Sequence, residues 1–115
     1  MRRGDIYVAD LDPVRGSEID KRRPVVIVSN NKSNGTVDRL GAGMLTVVPL
    51  TTNTRNLYDF QVLLPATATG LNEDSKAQAE QVRSVGVERV GTVLARVPAP
   101  LMAMLDDALR LHLQL

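Results

Sequence analysis

Polar and apolar side chains alternate with a period of two residues along much of this sequence, which is the pattern of β-strands with one buried face. Asp5–Leu11 follows this alternation and predicts a half-buried first strand. Arg23–Ser29 is almost continuously apolar and β-branched after its proline, which predicts a strand buried on both faces. Strand character returns in four further stretches: Met44–Thr51, Tyr58–Leu64, Ser75–Val85 and Gly91–Val97. The sequence therefore predicts about six short strands.

The remaining segments are predicted to be loops, apart from the last one. Asp12–Arg22 carries proline, glycine and several charges, which predicts a long solvated loop. Asn30–Gly43 is rich in Asn, Ser and Gly and predicts a second loop with room for one helical turn. After Pro98, apolar residues recur at helical spacing, and Asp106 precedes Arg110 by four residues on the outer face. The chain is therefore expected to end in an amphipathic helix that begins at proline.

The length and the apolar runs limit the class of protein. At 115 residues the chain suffices for one hydrophobic core, so residues 1–115 are expected to form one domain. Strands followed by a helix predict a mainly β, α+β fold of the small-barrel type. The longest apolar run, Pro24–Val28, is far shorter than the ~20 residues of a membrane-spanning helix. Met1–Asp5 is not followed by the apolar stretch of a secretory signal, so we expect a cytoplasmic protein that does not enter membranes.

The titratable residues exclude several kinds of chemistry. The formal net charge is only +1, so nucleic-acid binding cannot be argued from overall charge. Of the 14 basic residues 11 are arginine, which favours planar, bidentate contacts to phosphate or carboxylate. With one histidine, His112, and no cysteine, the sequence excludes a catalytic histidine pair, a thiolate nucleophile and cysteine metal ligands. The acidic residues show no metal-ligand spacing, so neither a metal ion nor another cofactor is expected.

Seven short motifs carry a specific resemblance. They are Arg3–Ile6, Asp10–Pro13, Gly16–Glu18, Arg23–Val26, Val48–Thr52, Phe60–Leu64 and Glu80–Ser84. Each motif is weak by itself, but together with the C-terminal helix they match one family in order and spacing over residues 2–115. The chain resembles the MazF/PemK toxins of bacterial type II toxin–antitoxin systems.

This resemblance implies an SH3-like barrel of the PemK/CcdB type that acts as a homodimer. It implies a sequence-specific, metal-independent endoribonuclease that cleaves single-stranded RNA, including mRNA, by transesterification. The products would be a 2′,3′-cyclic phosphate and a 5′-hydroxyl. The resemblance also implies a cognate MazE-like antitoxin, whose acidic and disordered C-terminal segment folds across the dimer and inhibits the toxin.

The catalytic arginine and threonine of that family fall on Arg23 and Thr51. An arginine stabilises the negative charge that collects on the phosphate oxygens when a 2′-oxygen attacks, and a positioned hydroxyl adds a second donor. Because arginine stays protonated, the 2′-hydroxyl proton needs another acceptor, for which Glu18 is the candidate. Without the resemblance, Arg23 is better explained as a surface ion-pair former and Thr51 as a strand or turn residue. Glu18 is equally suited to ordering its loop.

Further residues are candidates for RNA binding, namely Ser17, Thr52, Asn53, Gln81 and Arg83. Gln81 resembles a family position that contacts RNA and is expected in the middle of a strand, whereas Arg83 is explained equally well by an internal ion pair. Among the aromatic residues, Tyr7 and Phe60 are expected in the core and Tyr58 on the surface. Base recognition is therefore expected mainly from hydrogen bonds made by loop residues.

Two other functions remain open at this point. A gyrase-poisoning toxin of the CcdB type shares the fold but acts by binding a protein, and it has no need of an arginine–threonine pair such as Arg23 and Thr51. A noncatalytic RNA-binding dimer is compatible with the modest net charge. Cleavage of naked RNA in the presence of a chelator distinguishes both from an endoribonuclease.

Overall fold

The computed structural model describes residues 1–11 and 22–115, and strands make up most of its regular structure. The strands of this part are β1 (Asp5–Asp10), β2 (Arg22–Ile27), β3 (Met44–Thr51), β4 (Gln61–Leu64), β5 (Ser75–Gln78), β6 (Arg83–Gly86) and β7 (Val90–Arg96). The helices are α1 (Asn31–Leu40), α2 (Ala66–Thr69) and α3 (Ala99–Leu113), and short 3-10 turns cover Ala79–Gln81 and Val87–Arg89. The prediction of a mainly β chain with a C-terminal helix is confirmed. None of the described helices has the length and apolarity needed to cross a membrane.

The strands pair antiparallel in the order β4, β5, β3, β2, β1, β7, and β6 pairs with the first half of β3. β4 and β7 therefore lie at opposite edges and are not paired with each other in the described part of the chain. The expectation of a closed barrel is corrected to an open sheet. β4 packs against α3 rather than continuing the ladder to β7.

The predicted strand Ser75–Val85 is broken in the middle. β5 pairs with the end of β3 and β6 with its beginning, and the 3-10 turn Ala79–Gln81 lies between them. Pro49 of β3 has no N–H group to donate, so a continuous ladder along that strand is interrupted near this position. The prediction of one strand with Gln81 at its middle is therefore wrong, because Gln81 belongs to the turn.

Helix α1 replaces the loop that was predicted for this region. The Asn30 side chain accepts a hydrogen bond from the Ser33 N–H group at 2.8 Å, which caps the helix, and Gly41 ends it in the left-handed conformation. Only Asn34 and Val37 are buried. Because most of the helix surface faces solvent, the helical period of apolar residues is too sparse to be recognised in the sequence.

Two hydrophobic clusters lie on opposite faces of the central strands. The cluster that contains α3 residues comprises Ile6, Val26, Val48, Leu50, Val62, Leu64, Ala77, Ala79, Val97, Leu105 and Ala108. The second, which includes a residue of α1, comprises Ala9, Leu11, Val25, Ile27, Val37, Leu45, Val47 and Val85. Burial of β2 on both faces is thereby confirmed. β3 has the same position, so these two strands form a rigid support for the residues at their ends.

Helix α3 is also held by ion pairs at its surface. The Arg3 guanidinium contacts the Asp106 carboxylate at 2.6 Å and donates to the Val28 carbonyl oxygen at 2.9 Å. Arg110 pairs with Asp107 at 2.8 Å. Asp106, which was expected on the outer face with Arg110, contacts Arg3 of the N-terminal segment instead.

Candidate functional site

Arg23 on β2 and Thr51 on β3 lie two residues beyond the last pair of the ladder that joins these strands. Val25 pairs with Pro49 in the antiparallel register of these two strands. Continuing that register by two residues brings Arg23 opposite Thr51, and both residues still belong to their strands. Residues directly opposite each other in antiparallel strands have Cα atoms about 4.5–5.5 Å apart and point to the same face. The guanidinium and the hydroxyl therefore share one face of the sheet.

This face changes from apolar to polar at its end. Val25 is fully buried, whereas Arg23 is exposed and Thr51 is partly exposed. Within the described residues, the Arg23 guanidinium makes no hydrogen bond or ion pair. The following Pro24 restricts the backbone of Arg23 to the extended region, so the side chain projects from a defined strand position. An anionic ligand can reach this guanidinium from solvent.

The Thr51 hydroxyl takes part in the turn that follows β3. Its Oγ1 atom accepts a hydrogen bond from the Asn53 N–H group at 3.2 Å. The Asn53 side-chain oxygen in turn accepts from the Arg55 N–H group at 3.3 Å. Because the threonine oxygen acts as an acceptor here, its own hydrogen stays available for a ligand. The turn thus fixes the oxygen of a hydroxyl that can donate a hydrogen bond to a phosphate.

Lys76 on β5 is part of the same face and was missed in the sequence. It pairs with Thr51, yet its residue surface is only 6% exposed. Its Nζ atom donates hydrogen bonds to the carbonyl oxygens of Arg55 at 2.9 Å and Asn56 at 3.3 Å. The one signal in the sequence was a single charged residue inside a short strand, which is typical of either an edge position or a satisfied buried charge.

The other predicted RNA-binding residues are distributed around this face. Arg83 pairs with Val47 on β3, so it shares the face of Thr51 and is exposed. Gln81 is exposed in the 3-10 turn. Ser17 and Glu18 lie outside the described residues. No group of three or more His, Cys, Asp or Glu side chains that could hold a metal ion occurs in the described ranges.

Thr52 lies at a different surface. It lines a cleft of about 380 Å³ together with Pro24 and Leu94. Because side chains alternate along a strand, Pro24 faces the opposite side of β2 from Arg23. The structure therefore separates Thr52 from the face that carries Arg23, whereas Asn53 is joined to that face by its bond to Thr51.

The aromatic residues also fall partly where they were expected. Tyr58 is 53% exposed, which confirms its surface position. Tyr7 is partly buried and packs against the second hydrophobic cluster, whereas Phe60 is partly buried and belongs to neither cluster, so the core prediction is corrected for Phe60. Burial raises the pKa of the Tyr7 phenol, and the charges of Asp5 and Asp38 raise it further.

The comparison with known proteins decides the family. A family model described as "PemK-like, MazF-like toxin of type II toxin-antitoxin system" matches residues 2–113. The chain belongs to the PemK/MazF toxin family. It is 56% identical over 115 residues to the endoribonuclease MazF9 of Mycobacterium tuberculosis, in an alignment that covers 100% of this chain and 98% of that protein.

Solved structures of MazF proteins have the same fold. A MazE–MazF structure (Form-II) from Deinococcus radiodurans is similar with a TM-score of 0.80 and 26% identity, covering 100% of this chain and 96% of that one. An endoribonuclease in complex with its cognate antitoxin from a mycobacterial species gives a TM-score of 0.76 and 27% identity, again covering 100% and 96%. Because MazF9 is named an endoribonuclease, the MazF assignment favours a nuclease over the gyrase-poisoning alternative.

Proposed function

We propose that this MazF family member is a sequence-specific endoribonuclease toxin that cleaves single-stranded RNA, including mRNA, without a metal ion. The observation that carries the proposal is the β2–β3 register, whose last pair is Val25–Pro49 and whose continuation by two residues would set Arg23 opposite Thr51 at the exposed end of a buried strand pair. It is supported by 56% identity over the full chain to a protein named as an endoribonuclease. Because its substrate would be mRNA in bacteria, the toxin would act in the cytoplasm.

In the proposed reaction, the 2′-oxygen of a ribose attacks the adjacent phosphorus atom. The new bond between the 2′-oxygen and phosphorus closes a 2′,3′-cyclic phosphate, and the bond from phosphorus to the 5′-oxygen breaks. The 2′-hydroxyl loses its proton, and the departing 5′-oxygen gains one to become a 5′-hydroxyl. Negative charge collects on the non-bridging oxygens during this step, and this charge is what the protein must stabilise.

Arg23 would supply the main stabilisation. A guanidinium presents a fork of N–H donors that matches two phosphate oxygens, and it keeps its positive charge at any physiological pH. The Thr51 hydroxyl would donate a further hydrogen bond to the same phosphate. Both groups project from strands that are buried behind them, so the backbone that carries them is fixed before charge develops.

Glu18 is the proposed general base that accepts the 2′-hydroxyl proton. A carboxylate suits this role because Arg23 cannot accept a proton, and the lone His112 is exposed on α3. Ser17 would contact the RNA from the same Gly-Ser-Glu motif. Arg83 and Asn53 are further proposed contacts, since one shares the catalytic face and the other is bonded to Thr51.

Thr52 and Gln81 are proposed to bind RNA at the margin of the site. Thr52 is exposed at the neighbouring cleft, and Gln81 is exposed in the 3-10 turn beside β3. An RNA chain that runs along β3 from its middle past its end would meet both. Their side chains can each donate and accept hydrogen bonds, which suits recognition of unstacked base edges.

A homodimer and an antitoxin complete the proposal. β7 is an edge strand in which Val93 is 53% and Leu94 46% exposed, so apolar side chains project on both of its faces. Such an edge invites pairing with a second chain. The solved MazF structures include antitoxin complexes, which supports a MazE-like partner for this chain. An acidic segment of the partner would compete with RNA phosphate for Arg23.

Cleavage by the purified protein tests the proposal. We expect the wild type to cut RNA from a random-sequence pool in EDTA, leaving 5′-hydroxyl ends that must be phosphorylated by a kinase before ligation and 3′ ends that carry the cyclic phosphate. Arg23→Ala is expected to retain RNA binding and the native circular dichroism spectrum but to lose cleavage, and Arg23→Lys to recover only part of it. An unchanged Arg23→Ala rate contradicts the site. Activity that needs magnesium contradicts the mechanism, and wild type that binds RNA without cutting it favours the noncatalytic alternative.

Size-exclusion chromatography with light scattering tests the dimer. Val93→Glu is expected to give a monomer, because a carboxylate would be buried without a partner at the β7 edge. Leu40→Glu serves as the matched control, since Leu40 is an exposed apolar residue, 66% exposed, that belongs to α1 and not to the β7 edge. A Val93→Glu protein that remains dimeric would assign the interface to another surface.

A further inference from the structure

The segment between β3 and β4 carries an exposed aromatic side chain beside the candidate site. Tyr58 is 53% exposed, and its ring stacks on Phe60 with a centroid distance of 5.5 Å and an interplanar angle of 7°. Large aromatic side chains are scarce in this protein, which has two tyrosines, one phenylalanine and no tryptophan. The stacked pair of Tyr58 and Phe60 thus contains every aromatic residue of the protein except Tyr7.

Lys76 ties this loop to the catalytic face. Lys76 on β5 pairs with Thr51 on β3, whose hydroxyl is proposed to donate a hydrogen bond to the phosphate. Its Nζ atom holds the carbonyl oxygens of Arg55 and Asn56 and lies 5.9 Å from the centroid of the Tyr58 ring. A buried ammonium group is stable only when it is hydrogen-bonded, and here the loop supplies its acceptors. The position of the loop thus depends on this lysine.

A backbone conformation and two hydrogen bonds further restrict the loop near Tyr58. Asn56 adopts a left-handed backbone with φ of 53°, which asparagine tolerates better than most residues. The Tyr58 N–H group donates to the Gln61 side-chain oxygen at 3.3 Å, and the Gln61 amide donates to Glu80 at 2.7 Å. The ring is therefore presented by a loop that is fixed at both ends. Binding of a ligand to the ring therefore costs little conformational entropy in the loop.

We propose that the Tyr58 ring stacks one unpaired nucleobase of the RNA substrate next to the scissile phosphate, and that Lys76 is the positioning residue for this platform. The inference rests on the proposed endoribonuclease function and adds a base subsite to it. Every nucleobase has a π-face, so aromatic stacking suits single-stranded RNA and tolerates different bases. The link through Lys76 to Thr51 is the reason to assign the subsite to a nucleotide near the cut.

The test compares variants on an RNA whose cut site has been mapped by sequencing the ends from a random pool. Tyr58→Ala is expected to weaken binding, seen as a higher KM, by about 5- to 150-fold, which corresponds to loss of one base–aromatic stack. Tyr58→Phe keeps the ring and should behave as the wild type. Leu57→Ala is the matched control, because Leu57 is 51% exposed in the same loop but carries no ring. The single-turnover rate at saturating RNA should change little in all three.

A set of substrates with one abasic nucleotide makes the test specific. When the base that stacks on Tyr58 is missing, wild type and Tyr58→Ala should have the same KM, while the other abasic substrates keep the difference. Lys76→Met should raise KM as Tyr58→Ala does, without an additive effect in the double variant. Lys76→Arg, which keeps donors, should recover part of the affinity. A Tyr58→Ala effect of equal size on every abasic substrate, or no effect at all, overturns the inference.

A binding measurement separates this inference from the proposed function. The protein has no tryptophan, so its emission comes from its two tyrosines, Tyr7 and Tyr58. If wild type fails to cut RNA, the nuclease proposal fails, but a short 2′-O-methyl oligoadenylate should still quench tyrosine emission in wild type. That quenching should vanish in Tyr58→Leu and with an abasic oligomer. Quenching that persists in Tyr58→Leu refutes the platform.

Discussion

Thr51→Val separates a catalytic hydroxyl from a structural one. Valine is β-branched like threonine and favours strands, so it removes the hydroxyl with little effect on β3. The hydroxyl oxygen accepts one hydrogen bond, from the Asn53 N–H group at 3.2 Å. Loss of a single bond of this kind costs about 0.5–1.5 kcal/mol in the free energy of unfolding.

This cost is too small to abolish activity by unfolding. A domain with a stability of about 5–15 kcal/mol remains more than about 99% folded after losing ~1.5 kcal/mol. Removal of one preorganised donor from a transition state, in contrast, lowers a rate by about 100- to 1,000-fold. We therefore expect Thr51→Val to lose cleavage by this factor while the folded fraction stays nearly unchanged.

The assay is single-turnover cleavage of a labelled RNA, with urea denaturation of the same preparations. Thr51→Ser is the matched control, because it keeps the hydroxyl and loses only a methyl group, and its rate should stay within about tenfold of wild type. The reasoning is refuted if Thr51→Val cleaves as fast as Thr51→Ser. It is also refuted if the loss of rate follows the unfolded fraction measured in urea.

Two further predictions concern the fold. Leu105→Ala, at a fully buried position of α3, should lower the free energy of unfolding in urea by about 2–5 kcal/mol, whereas Leu111→Ala, at a residue that is 55% exposed, should stay within about 0.5 kcal/mol. The pKa of Tyr7 is raised above 10.0 in the folded protein, so the unfolded chain loses this proton at a lower pH. The contribution of Tyr7 to the free energy of unfolding is therefore fully present below pH 10 and is lost as the pH rises further. Ultraviolet titration of tyrosine ionisation should show a late step that Tyr7→Phe removes.

Each of these two predictions has a result that would contradict it. Equal destabilisation by the two leucine substitutions would mean that the α3 face assignment is wrong. An alkaline titration curve that is unchanged in Tyr7→Phe, apart from its amplitude, would contradict the raised pKa.

Local pattern was enough to predict most elements but not their interruptions. Alternation along β1 and the apolar run of β2 are properties of neighbouring residues, so both strands and the terminal helix could be predicted from the sequence. Helix α1 was missed because its solvent-facing surface dominates its composition, and the decisive features were a cap at Asn30 and a buried Asn34. The break at Ala79–Gln81 was missed because it depends on Pro49 in another strand.

The candidate site shows the same division. The resemblance identified Arg23 and Thr51 as candidate catalytic residues, but they are 28 positions apart in the sequence. Only the register between β2 and β3, continued by two residues past Val25–Pro49, brings them to one face. Lys76 enters the site for the same reason, through its pairing with Thr51. The sequence alone thus determined which chemistry was available and which stretches have strand character, because these depend on local side-chain character. The tertiary structure decided which groups converge, because strand pairing connects residues that are distant along the chain.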